Sequence, residues 1–175
     1  DNYAWLVNFA KTNMASGTLS ESEVKAAFDS ITYLYADDSA GSLSKLTGDI
    51  ASLATSLSDL GLITSSKFST DDAQAFAEAF VDDSYLKNAV SKDFDTSSSR
   101  SVKVAVINGD IHQIAIQIAV EKKFFDNYNI RVTLNSSASS GGDIATLLTS
   151  GDTNIGFLGA PPATTYAING EHILV

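Results

Sequence analysis

The stretch Val102–Val175 reads "VKVAVINGDIHQIAIQIAVEKKFFDNYNIRVTLNSSASSGGDIATLLTSGDTNIGFLGAPPATTYAINGEHILV", and its periodicity decides the fold. "VKVAVI" (Val102–Ile107), "IRVTL" (Ile130–Leu134) and "NIGFLGA" (Asn154–Ala160) have the length and β-branched content of strands. Between them, "IHQIAIQIAVEKKFF" (Ile111–Phe125) and "GGDIATLLTSG" (Gly141–Gly151) read as helices. Pro161 and Pro162 lack the amide hydrogen that a ladder needs but suit a first helical turn, so "PPATTYAING" starts a third helix. "HILV" (His172–Val175) then begins a further strand. Strand and helix alternate throughout, which specifies a parallel sheet of about four strands with right-handed crossovers.

The preceding residues, up to about Arg100, have another character. Trp5 and Phe9 stand four apart on a short amphipathic helix from Tyr3 to Ala10. Ser20 and Glu23 form a capping box ahead of Val24, Ala27, Phe28, Ile31 and Leu34. Leu43, Leu46, Ile50, Leu53, Leu57 and Leu60 recur in steps of three and four, with Gly61 where a left-handed cap belongs. The stripe is too short and its flanks too poor in paired charges for a coiled coil, so it packs within its own domain. Two more helices, Asp71–Phe80 and Ser84–Val90, turn Phe76, Phe80, Tyr85 and Leu86 inward, and "SKDFDTSSSR" (Ser91–Arg100) reads as a linker. The chain therefore divides into a helical segment, 1–100, and a βαβαβαβ segment, 101–175.

Composition removes several classes of function. With 21 acids against 11 bases, the formal charge is −10, and nucleic acid needs a basic face. There is no cysteine, hence no disulfide, thiol catalysis or thiolate metal site. Two distant histidines do not make a zinc site. No apolar run approaches the roughly 18 residues of a membrane span. The start at Asp1 is what a processed or excised product would show. The Gly-x-Ser-x-Gly elbow, the Gly-x-Gly-x-x-Gly fingerprint and the Walker lysine are all missing, which argues against an enzyme and calls for no cofactor.

What remains is the set of three strand-to-helix turns: Asn108–His112, Asn135–Gly142 and Gly159–Pro161. All three fall at the carboxyl edge of the sheet, where open α/β folds hold ligands. Helix starts present free amide hydrogens and partial positive charge, suited to a small anion or polar head. Glycines 109, 141, 142 and 159 equally serve simple tight turns. His112 either donates to a ligand or faces solvent, His172 reads as solvated surface, and Tyr166 is the one aromatic residue near the third turn that could line a pocket.

The quoted stretch resembles the amino-terminal lobe of the solute-binding proteins of ABC importers for nitrate, sulfonates, taurine and thiamine-pyrimidine precursors. The shared features are the strand with its Gly-Asp turn, the helix ending "EKKFF", the strand and turn "NIGFLGAPPA" and the helix end "AING". "LSDLGLIT" and "AFVDDSYLKNAV" are similar to the closing helices of the same family. The resemblance implies one α/β lobe of a type II periplasmic-binding-protein-like fold, with the family's order permuted and its second lobe absent. A permuted lobe, the seam of a tandem repeat, and one segment of a longer or assembled chain all fit. It further implies a non-enzymatic, extracellular or periplasmic small-molecule-binding role beside an ABC permease. Ligand contacts carried over by position fall at Asp110, His112, Ser139, Ser140, Gly141, Gly159 and Ala160. The alternative is a structural subunit of an extracellular filament or oligomer, joined by strands added at the open edge near Val175. Asn135-Ser136-Ser137 is a glycosylation sequon near the pocket edge, where a glycan would block it.

Overall fold

The computed structural model describes residues 2–14, 17–31, 39–66, 68–82, 84–85, 88 and 94–175, with side chains in the third helix from residue 45 onward. The elements follow as α1 (Asn2–Asn13), α2 (Glu21–Ser30), α3 (Ser39–Asp59), α4 (Ala73–Phe80), β1 (Arg100–Ile107), α5 (Ile114–Glu121), β2 (Ile130–Ala138), α6 (Gly141–Thr149), β3 (Ile155–Gly156) and α7 (Ala160–Ile168). The architecture is α/β, a three-stranded parallel sheet in the order β2-β1-β3 with helices on both faces. No described helix is long and apolar enough to cross a membrane.

Central β1 buries Val104, Ala105 and Val106 in succession, as a strand covered on both faces must. Ala105 and Ile107 meet Ile144, Leu147 and Leu148 of α6, so Val104 and Val106 point to the opposite face. Right-handed crossovers to either side of β1 place α5 and α6 on opposite faces. Gly156 lets α6 sit close against β3: a Cβ there would stand 2.5 Å from Ile144 Cγ2 and 2.9 Å from Leu148 Cδ1. The β1–β2 register runs from Arg100 opposite Ile130 to Ala105 opposite Asn135, then slips so that Ile107 faces Ala138. The extra residue is a bulge at the end of β2, which carries that strand past Leu134 into what reads as a turn in sequence.

The leading helices form the outer layers. Val7, Ala10 and Met14 of the first segment and Val24 of α2 pack on Ile114 of α5. Lys122 Nζ, just past α5, stands 3.8 Å from the centroid of the Trp5 ring. The capping box forms: Glu23 N donates to Ser20 Oγ at 3.3 Å and Ser20 N to Glu23 Oε2 at 2.8 Å. On the other side, Ile50 of α3 and Ala77 and Phe80 of α4 pack with Ala145, Ala163 and Ile173. Asn169 Oδ1 accepts from Thr64 N, Thr64 Oγ1 and Ser65 N, fastening the loop after α3 to the end of α7.

Several expectations are corrected. The face of α3 that packs is Leu46, Ile50, Ala54 and Leu57; Leu53 is only half-buried and Leu60 is 72% exposed. A period of 3.6 carries the contact line onto Ala54, one residue away from where the leucines continue. Gly61 does cap the helix at φ +70, with Leu62 N bonded to Leu57 O and Gly61 N to Ser58 O. Leu34, the Leu43 side chain, Leu86 and most of Ser84–Val90 lie outside the described residues.

Among the described residues the sheet has three strands where about four were expected. Of "NIGFLGA", only Ile155 and Gly156 are strand, flanked by bonds to β1 from Asn154 N to Lys103 O at 2.9 Å and Phe157 N to Ala105 O at 3.0 Å, and Ile155, on the outer edge, is 49% exposed. "HILV" does not join β3. Val175 N donates to Phe80 O at 3.0 Å and Asp82 N to Val175 O at 2.6 Å, a parallel pairing with the chain leaving α4. Burial of Ile173 among Ile50 and Phe80 holds the segment there.

Candidate functional site

The first turn is built around an acid and an amide. Asp110 caps the short 3-10 turn Ile111–Gln113: its Oδ1 accepts from His112 N at 3.0 Å and His112 Nδ1 at 2.9 Å, and its Oδ2 from Gln113 Nε2 at 3.0 Å. Gln113 is 6% exposed. Its Oε1 accepts from Ile107 N at 2.9 Å, and its Nε2 also donates to Phe157 O at 3.1 Å. One buried carboxamide thus ties the end of β1, the turn and the segment leaving β3, with its polar atoms satisfied as burial requires. Gln113 was missed in sequence. The signal was there: Asp110-x-x-Gln113 has capping-box spacing.

The second turn closes on itself. Ser139 N and Oγ both donate to Asp143 Oδ2 at 2.9 Å, and Asp143 N donates to Ser140 Oγ at 3.2 Å. These donors, the Ser139 amide first, hold the Asp143 carboxyl below the usual range. Asp143 therefore already supplies the negative charge that the start of α6 favours. Gly141 lies under the first turn of α7, where a Cβ would stand 2.5 Å from Pro162 Cγ.

The third turn is poor in donors. Gly159 is the N-cap of α7, and Ala160, Pro161 and Pro162 are its first three helical residues. Two of those three have no amide hydrogen, and Ala163 N already bonds Gly159 O at 3.2 Å.

Turns one and three flank a cleft of about 990 Å³ that runs along the outer edge of β3. Asp110, His112 and Gly159 line it; Ser139, Ser140, Gly141 and Ala160 are not among its walls. The expected convergence of three turns is thus a convergence of two, with the second turn packed behind the third. Its far wall is His172–Val175, with Tyr85 at the rim, so His172, exposed as expected, also borders the cleft. Tyr85, expected inward, is 74% exposed, and Tyr166 packs in the core beside Ile50 and Ala163. Asn135 sits on β2, the opposite edge strand, with its Oδ1 accepting from Ser137 N and Oγ. A glycan there stands away from the cleft, contrary to the expectation.

The cleft lies where the chain turns from β1 to β2 on one side and arrives at β3 on the other, the switch point at which open α/β sheets take ligands. A carboxylate only accepts hydrogen bonds, so His112 Nδ1 carries the proton shared with Asp110. This histidine–acid pair was not visible in sequence. Among the described residues no serine or threonine hydroxyl is bonded to His112, and no group of three His, Asp or Glu side chains is close enough to hold a metal. No protein-family profile matches the chain, and neither a curated protein nor a solved structure is significantly similar to it.

Proposed function

We propose that the chain is a small-solute-binding lobe without chemistry of its own, working outside the cytoplasm beside an ABC permease, as the type II binding-protein lobes it resembles do. The observation that carries this reading is the position of the cleft at the β1–β3 switch point, with polar side chains including Asp110, His112, Asn154 and His172 beside apolar walls such as Ile107, Phe157 and Leu158. Gly159 offers the test. It has φ −69, and a Cβ there meets nothing nearer than Pro161 Cδ at 3.7 Å, so a larger residue fits the backbone and takes up cleft space. Solutes that raise the melting temperature of the native chain should fail to do so with Gly159→Val, while the unliganded melting temperature stays within a few degrees. If no solute in a panel of anions, cations and neutral heterocycles shifts melting, the reading is wrong.

A second reading rests on a different observation. Among the described residues the outer edge of β3 has no partner strand, and Ile155, Tyr85, Leu174 and Val175 are all exposed around it. An open edge with apolar side chains recruits strands, which suits a subunit of an extracellular filament or oligomer. Native mass decides between the two: a species that stays monomeric at high micromolar concentration excludes the assembly.

A further inference from the structure

We infer that the cleft takes an organic cation, an ammonium or amidinium group on an apolar body, with Asp110 as its counter-charge. This rests on the small-solute reading above and specifies the sign of the charge recognised. The hydrogen-bonding groups around the cleft decide that sign. An anion needs donors. Helix α7 supplies almost none, because Pro161 and Pro162 replace two of its first three amides. The start of α6 is engaged by its own Asp143. No lysine or arginine lines the cleft among the described residues.

Acceptors, by contrast, face it. Asp110 is its one carboxylate, and three hydrogen bonds from its own chain leave part of its acceptor capacity free. An anion would meet Asp110 at short range and a chain of net charge −10 at long range, whereas a cation is drawn by both. Ile107, Ile155, Phe157 and Leu174 then give the body of the ligand apolar contact.

Isosteric ligands of opposite charge test the inference on the unmodified chain: benzamidinium against benzoate, phenethylammonium against phenylpropionate, with nitrate and taurine added. Calorimetry and thermal shift should show the cations binding at least about tenfold tighter than their anionic partners, with affinity weakening as salt rises. Asp110→Asn should lose about tenfold or more in cation affinity, and Gly159→Val should abolish binding. Anions that bind as well as cations, and are displaced by Gly159→Val, overturn the sign while leaving the cleft reading intact. Cation binding indifferent to both substitutions overturns the location, and a silent panel overturns both readings together.

Discussion

Gln113 shows how much one side chain can hold. It carries bonds to Ile107 N, Asp110 Oδ2 and Phe157 O at almost complete burial. Gln113→Leu keeps the volume and strands all three partners, so it should cost about 2–4 kcal/mol, read as a lower urea midpoint at unchanged slope. A cost under about 0.5 kcal/mol would mean that water replaces the amide. Gly156→Ala should cost about 1–3 kcal/mol, because its methyl would press into Ile144 and Leu148 of α6. At this scale the sequence was legible where partners are local. Ser20 and Glu23 find each other across three residues, and so did the reading. The bond from Gln113 to Phe157 spans 44 residues and has no local signature. Ser139 and Ser140 misled for a related reason: a serine before a helix start looks alike whether it awaits a ligand or is engaged by an acid three or four residues on.

Among the elements, α3 separates pattern from packing. Ile50→Ala should cost about 2–5 kcal/mol, Leu53→Ala distinctly less, and Leu60→Ala within about 0.5 kcal/mol, a ranking that thermal or chemical melts of the three variants would check. The leucines announced the helix and its Gly61 stop correctly. They could not announce its rotation, because the partner surface formed by Ala145, Ala163 and Ile173 comes from the far end of the chain. Helix α6 carries a pH dependence of definite sign. Asp143 has its folded pKa depressed by Ser139 and Ser140, so its stabilising contribution is present above the ordinary aspartate pKa and lost as pH falls through the lower folded value. Acid melts below about pH 4 should therefore be flatter for Asp143→Ala than for the parent chain. An identical pH profile for both would remove that cap from the account.

Across the whole molecule, the alternation of strand and helix announced the parallel sheet, and its β2-β1-β3 order with right-handed crossovers puts helices on both faces. The missing fourth strand was not legible. "HILV" is as apolar as any strand, and what directs it to the chain after α4 is the burial of Ile173 against helices from the first half. Ile173→Asp should accordingly destabilise the chain by more than about 3 kcal/mol, since it places a charge among Ile50 and Phe80. Because Asn135 stands on the opposite edge strand, Asn135→Gln should leave solute affinity unchanged whether or not the native protein is glycosylated. A change in affinity would relocate the ligand to the β2 side.

The pairing of Val175 with Phe80 and Asp82 also sets an order of events in time. Its partners are about 90 residues apart in the chain, so the contact closes a long loop and rewards that cost with only two backbone bonds and one buried isoleucine. Contacts of this kind form late and open early. During synthesis, the chain leaving α4 waits for Ile173 and Val175 before its edge is covered. In deuterated water, the amides of Asp82 and Val175 should exchange together, and well before those of β1, as one opening unit that swings free while the sheet stays closed.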